Sequence, residues 1–200
     1  MGMDTSSARP FFYYRVVGFL VLAVLLVGYF YFIRPKQNTS MPTLLVTSTA
    51  FADGDLIPSN YTCDMDNVNP QIAIAKIPAG TLTLALIMDD PDIPESVKSS
   101  RGISVFDHWV IFNVPVTSGA SEVVLEEASV PSGVHGTNGR GEAKYTGPCP
   151  PDREHRYFFR AYALDANLLL SEGASRSEVE VAFEGHILAE GVLMGRYERK

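Results

Sequence analysis

Three short segments hold the residues best suited to chemistry. The first is Asp89-Asp90-Pro91-Asp92-Ile93-Pro94. Carboxylates so close repel one another, so one of them should have a raised pKa or a cationic partner. The plainer alternative is a solvated turn, because Asp-Pro is good turn chemistry. The second segment is Phe106-Asp107-His108-Trp109-Val110-Ile111-Phe112-Asn113-Val114-Pro115. On a strand, His108 would share a face with Phe106, Val110 and Phe112, with Trp109 opposite. A hydrogen-bonded core histidine is the simpler reading of such a position. The third runs from Lys144-Tyr145-Thr146-Gly147-Pro148-Cys149-Pro150-Pro151 into Asp152-Arg153-Glu154-His155-Arg156-Tyr157. His155 and Tyr157 point to one face of the strand that begins here, and both can donate hydrogen bonds to a phosphate or carboxylate. Arg156 points the other way, where an ion pair is its simplest role.

The surrounding pattern must position these groups. Leu44–Thr49 is a short β-rich run. Thr81–Met88 is apolar on much of both faces, which suits a strand buried between layers. Phe106–Val114 and Arg156–Leu164 are strongly β-prone, and Glu122–Val130 alternates only in part. Ser175 with Glu178 makes a capping box, and Val179, Ala182, Phe183, His186 and Ile187 fall on one face of a helix. Gly191–Tyr197 can return as a strand. Residues 131–155 carry five glycines before Pro148, Pro150 and Pro151. A connection this long is uncommon unless it builds a site. Many strands and few helices predict a mainly β, sandwich-like domain.

Taken together, these segments resemble the phosphatidylethanolamine-binding protein family, also called Raf kinase inhibitor-like proteins, over roughly residues 44–198. The likeness is to the short bacterial and archaeal branch, of the YbhB/YbcL type. Its markers stand as Ala50-Phe51-Ala52-Asp53-Gly54, Tyr61-Thr62-Cys63-Asp64, Asp90-Pro91-Asp92-Ile93-Pro94, His108-Trp109 with Asn113-Val114-Pro115, Tyr145 to Pro151, and His155-Arg156-Tyr157. The resemblance implies two antiparallel sheets with one or two short helices. It also implies an anion pocket formed by Asp90, His108, His155 and Tyr157 with the backbone around Cys149 and Pro151. Tyr145 and Phe106 would be its wall, and Asp92 would support the loop. Phosphate, a phospholipid headgroup, a phosphorylated side chain or acetate would fit. The chain departs from the pattern at Asp152-Arg153-Glu154, where a glycine is usual, and at Asp64-Met65-Asp66 and Asn69-Pro70-Gln71. A long C-terminal helix of the eukaryotic members is missing, which predicts a more open entrance.

Cys63 and Cys149 sit where the short branch often has cysteines. They are read here as free thiols, with pairing left open to an oxidising compartment. No paired C-x-x-C or H-x-x-x-H spacing supports a zinc site, and no cofactor motif is present. The competing class is a hydrolase or metal-assisted enzyme using Asp90, Asp92, His108 and His155. No nucleophile elbow, P-loop or H-E-x-x-H supports it, so binding without catalysis is expected. A regulatory role against a kinase or protease partner is a third class, and no residue identifies such a partner. His135 and His186 are not expected to take part, His135 lying in the glycine-rich loop and His186 on the helix's apolar face.

Net charge is −7 overall, yet the first forty residues carry +3. The remainder, at −10, is repelled by nucleic-acid phosphates. Any anion must therefore be captured locally, against the domain's own field. Val16–Ile33 contains no charge and spans roughly 27 Å as a helix, close to a bilayer's hydrocarbon core. Tyrosines and phenylalanines flank it at both ends, as at membrane interfaces. The run ends in Tyr29-Phe30-Tyr31-Phe32-Ile33-Arg34-Pro35, a poor cleavage site. The expected organisation is an N-terminal tail (1–10), a single transmembrane anchor (11–33), a linker (34–43) and the domain (44–200). The domain is expected outside the cytoplasm.

Overall fold

In the computed structural model, which describes residues 41–200, eight strands are laid out along the chain. These are β1 (Leu45–Thr47), β2 (Ile72–Ala75), β3 (Thr83–Asp90), β4 (Phe106–Pro115), β5 (Glu122–Leu125), β6 (Val134–His135), β7 (His155–Leu164) and β8 (Ile187–Tyr197). Two α-helices intervene, α1 (Glu95–Arg101) and α2 (Arg176–Phe183). The strands form a three-stranded sheet, β1-β2-β5, and a five-stranded sheet, β6-β4-β3-β7-β8. Every neighbouring pair is antiparallel. The mainly β, two-sheet expectation holds for these residues. The anchor expected at 11–33 lies outside them. Among the described residues no helix is long and apolar enough to cross a membrane. Thr43, ahead of Leu44, already joins the domain through a bridge to Glu190.

β3 occupies the middle of the larger sheet because its sequence is apolar on both faces, and all eight of its residues are buried. Leu84, Leu86 and Met88 join Trp109, Tyr157 and Phe159 against Val46, Ile72, Ile74 and Leu125 of the smaller sheet. Ala85 and Ile87 join Val110 and Phe112 on the other face, against Val179 and Phe183 of α2. Each such aliphatic or aromatic side chain contributes about 1.5–3 kcal/mol when fully buried. A sheet covered on both sides needs no alternation along its central strand.

The capping box forms as expected. The Ser175 hydroxyl accepts from the Glu178 amide, and the Glu178 carboxylate accepts from the Ser175 amide. The helix ends earlier than its apolar periodicity suggests. Phe183 is its last residue, and Gly185 then turns the chain at φ 81°. Ile187 consequently opens β8. His186 is not on an apolar helix face but is half-exposed, with Nδ1 2.8 Å from Asp165 Oδ1. Two further differences are local. Glu122–Val130 supplies only a four-residue strand. β2 and α1 carry no signal that the sequence reading recognised. β2 has the short repeat Ile-Ala-Ile-Ala, and α1 follows directly on the acidic turn.

The cysteines are paired, correcting the free-thiol reading. Cys63 and Cys149 form a disulfide with a Cα–Cα distance of 5.4 Å. The two loops that carry them are fitted along their length. Cys63 N donates to Pro148 O, and Tyr145 Oη donates to Tyr61 O at 2.7 Å. Gly147 N donates to Asn67 Oδ1, also at 2.7 Å. A Cβ on Gly147 would lie 2.3 Å from Tyr61 O, so only glycine permits this approach.

Candidate functional site

His108 reaches its position through a break in the sheet register. Met88 pairs with Trp109, but the next residue, Asp89, pairs with Asp107. β4 thus advances two residues where β3 advances one, which is a β-bulge. The bulge separates Val110 and Phe112, which stay in the core against α2, from His108 and Phe106. The expectation that all four share one face is therefore corrected. Beyond the bulge the His108 ring packs edge-on to Tyr157, centroids 5.2 Å apart, and against Phe106 at 4.9 Å.

The glycine-rich segment borders this end of β4. Gly139 N donates to Asp107 O at 2.7 Å, and a Cβ at Gly139 would lie 2.6 Å from the Phe106 ring. Further on, Thr146 is bonded twice to one residue. Its amide donates to His108 O at 2.9 Å, and its carbonyl accepts from His108 Nδ1 at 2.7 Å. A carbonyl can only accept, so Nδ1 carries the proton and Nε2 is the ring's remaining hydrogen-bonding atom. Burial pushes the His108 pKa down to about 4. The ring is neutral at pH 7, and its contribution to a ligand is a lone pair rather than a charge.

The β7 residues occupy the same face, as expected. His155 is fully buried, and its Nδ1 lies 2.7 Å from Asp90 Oδ2. Its Nε2 lies 2.8 Å from Asp152 Oδ1. Each nitrogen faces a carboxylate oxygen, so a proton must lie in both gaps. The cluster is an imidazolium between two carboxylates, or a neutral ring with one protonated carboxyl. Burial raises the Asp90 pKa, and the bond to His155 opposes that shift. Asp90 Oδ1 also accepts from the Asp92 amide at 2.8 Å. Tyr157 is fully buried beside both histidines, and its hydroxyl has no hydrogen-bond partner. Its pKa is raised strongly, first by burial and then by the Asp90 charge.

The supporting residues divide by role. Asp92 binds Arg156 through both oxygens, to Nε and Nη2 at 2.8 Å each. The guanidinium holds the Asp92 carboxyl at a pKa of about 2. This gives Arg156 the ion pair assigned to it and fixes the loop after β3. Phe106 lies beside His108, whereas Tyr145 packs edge-on to Trp109 in the inter-sheet core, centroids 5.7 Å apart. Cys149 is held in its disulfide, and Pro151 is an exposed residue leading into Asp152. The site residues are enclosed. Asp90, His108, His155 and Tyr157 are each no more than 4% exposed, and Asp152 stands over His155. Among the described residues no group of three or more His, Cys, Asp or Glu side chains is arranged to hold a metal ion. The sequence reading missed Asp152 and Thr146 as partners of the histidines. The departure at Asp152-Arg153-Glu154, where a glycine is usual, was the available signal for Asp152. Nothing in the sequence marked the Thr146 carbonyl.

The fold has counterparts among known proteins. A family model described as phosphatidylethanolamine-binding protein matches residues 47–198. A UPF0098 protein of Methanothermobacter thermautotrophicus is 47% identical over 152 residues, covering 75% of this chain and 95% of that protein. A crystal structure of a putative phosphatidylethanolamine-binding protein homologue from Chlamydia trachomatis superposes with a TM-score of 0.72 at 38% identity. It covers 79% of this chain and 99% of that one. Escherichia coli YbcL, described as a member of the mammalian PEBP family, gives a TM-score of 0.68 at 26% identity, covering 78% and 99%. The chain belongs to the phosphatidylethanolamine-binding protein family, in its bacterial and archaeal form, and has the fold of a ligand-binding module.

Proposed function

We propose that the chain is a membrane-tethered module that binds a small anionic group reversibly, without turnover, at Asp90, His108, His155 and Tyr157. One observation carries the reading. The Tyr157 hydroxyl is fully buried and unpartnered, which costs about 1–3 kcal/mol unless a ligand or water accepts from it. It stands between a neutral histidine and one coupled to Asp90. A phosphate monoanion or phosphomonoester suits such a set, because it has oxygens to accept from Tyr157 and His155 and a hydroxyl to donate to a histidine lone pair. The phosphatidylethanolamine headgroup named in the family's description is a phosphodiester, which offers the accepting oxygens but no hydroxyl to donate. Inorganic phosphate and lipid-borne phosphate therefore share the oxygens that accept from the site, and only the former also donates to the histidine lone pair.

The apolar run at 16–33 supports the tether. The Cys63–Cys149 disulfide supports a domain outside the cytoplasm, since such bonds persist in oxidising compartments. The test is calorimetric titration of the full chain in detergent micelles with inorganic phosphate and with phosphoethanolamine, beside Tyr157→Phe and His155→Ala. Saturable binding, weakened in Tyr157→Phe and lost in His155→Ala, is the expected result. A folded chain that binds neither probe would end this reading.

A further inference from the structure

His155 has no free ring nitrogen: Nδ1 meets Asp90 and Nε2 meets Asp152, at 2.7 and 2.8 Å. Asp90 is buried and belongs to the sheet, whereas the Asp152 side chain is 45% exposed and lies on the loop before β7. The same loop is held by contacts that are themselves near the surface. Arg153 Nη1 lies 3.0 Å from Asp152 Oδ2, and Arg153 Nη2 donates to Asp92 O at 3.2 Å. Glu154 pairs with Arg196 Nη1 at 2.9 Å. Exposed pairs of this kind contribute little each. Meanwhile the buried Tyr157 hydroxyl, beside the same histidine, is left without an acceptor. The carboxylate on Nε2 therefore satisfies one donor of the site and not the other.

We infer that Asp152 is a tethered occupant of the anion site, and that a ligand enters by displacing its carboxylate from His155 Nε2. This rests on the anion-binding reading above. Exchange of one anion for another leaves the charge beside His155 balanced, so opening the loop while a ligand arrives leaves no buried charge unpaired. A carboxylate held on the same chain competes at the high effective concentration of an intramolecular group. A free simple carboxylate has no advantage over it. A phosphoryl group does, because it brings further oxygens, one of which can reach Tyr157. The latch thus sets the ligand class as phosphoryl rather than carboxylate.

The experiment is titration of the full chain in micelles with inorganic phosphate, comparing the natural chain, Asp152→Asn and Asp152→Ala. The side chain is half-exposed, so both variants should fold, and circular dichroism checks this. Removing the competitor should tighten phosphate binding about tenfold in both variants. Binding seen only in the variants would show the same latch held more firmly. Equal affinity in all three chains would overturn the latch while leaving the anion site standing. Absence of binding in all three folded chains would overturn the anion site itself, and the latch with it.

Discussion

Asp89 and Asp90 are neighbours on β3, both buried, and they face opposite sides of the same sheet. Asp89 is met by two guanidinium groups, Arg160 Nε at 2.8 Å and Arg176 Nη1 at 3.0 Å. Arg176 also reaches Asp107 at 3.0 Å and Glu180 at 2.7 Å, and so ties α2 to the sheet. Asp90 is met by a histidine, next to a tyrosine hydroxyl with no partner. The first carboxylate sits among partners that stay charged at every ordinary pH, so its bonds are filled and fixed. The second depends on a group whose proton can move. Permanent, complete pairing makes a structural joint. Incomplete pairing with a titratable partner leaves room for a ligand.

The difference can be broken from either side. Replacing both cysteines by alanine removes a bridge between residues 86 apart and should cost about 4 kcal/mol by chain entropy. The site side would loosen first, because residues 145–149 carry the acceptor of His108. Urea unfolding measures the loss, and amide hydrogen exchange at Thr146 should rise before exchange at Asp89.

On the opposite face, Arg176→Ala strips a partner from buried Asp89 and from Asp107. A destabilisation of about 3 kcal/mol is expected, read by the same unfolding. Phosphate affinity should change less than twofold, since no group of the anion site is touched. A large affinity loss would show that the two faces are coupled through β3.

Acid sharpens the comparison. Folding lowers the His108 pKa from 6.5 to about 4, so between these values the unfolded chain binds the extra proton. Stability from His108 is complete above pH 6.5 and falls as the pH drops towards 4, by on the order of 2–3 kcal/mol. Asp90 and Asp107, both raised by burial, act in the opposite sense. The His108 part is accordingly the difference between the natural chain and His108→Gln, which should show a flatter loss across that range in unfolding experiments.

The smallest effect is expected at the rim. Asp92→Asn removes the carboxylate that holds Arg156, whose side chain is 53% exposed, and should cost about 1 kcal/mol or less. Its contribution is present above pH 3.8 and is lost as pH falls towards about 2. Phosphate affinity is a more sensitive readout, because the Asp92 amide also fixes Asp90.

The sequence by itself determined the layers. Thr81–Met88, apolar on both faces, has only one place in a layered domain, between two other layers. Ser175 and Glu178 determined where α2 starts, because that contact lies within four residues. His155 and Tyr157, two apart on a regular strand, had to face one side. Tertiary structure decided everything that depended on a partner distant along the chain. The bulge opposite Asp89 moved His108 away from Val110 and Phe112, and no local pattern reveals a register that two strands share. The disulfide required loops 86 residues apart to meet at a Cα distance of 5.4 Å. Asp152 is only three residues from His155, yet its contact with Nε2 exists because Asp90, from another strand, already holds the opposite nitrogen and sets the ring. Spacing and residue type fix what a segment can do locally. Which groups it meets is fixed by the packing of the whole.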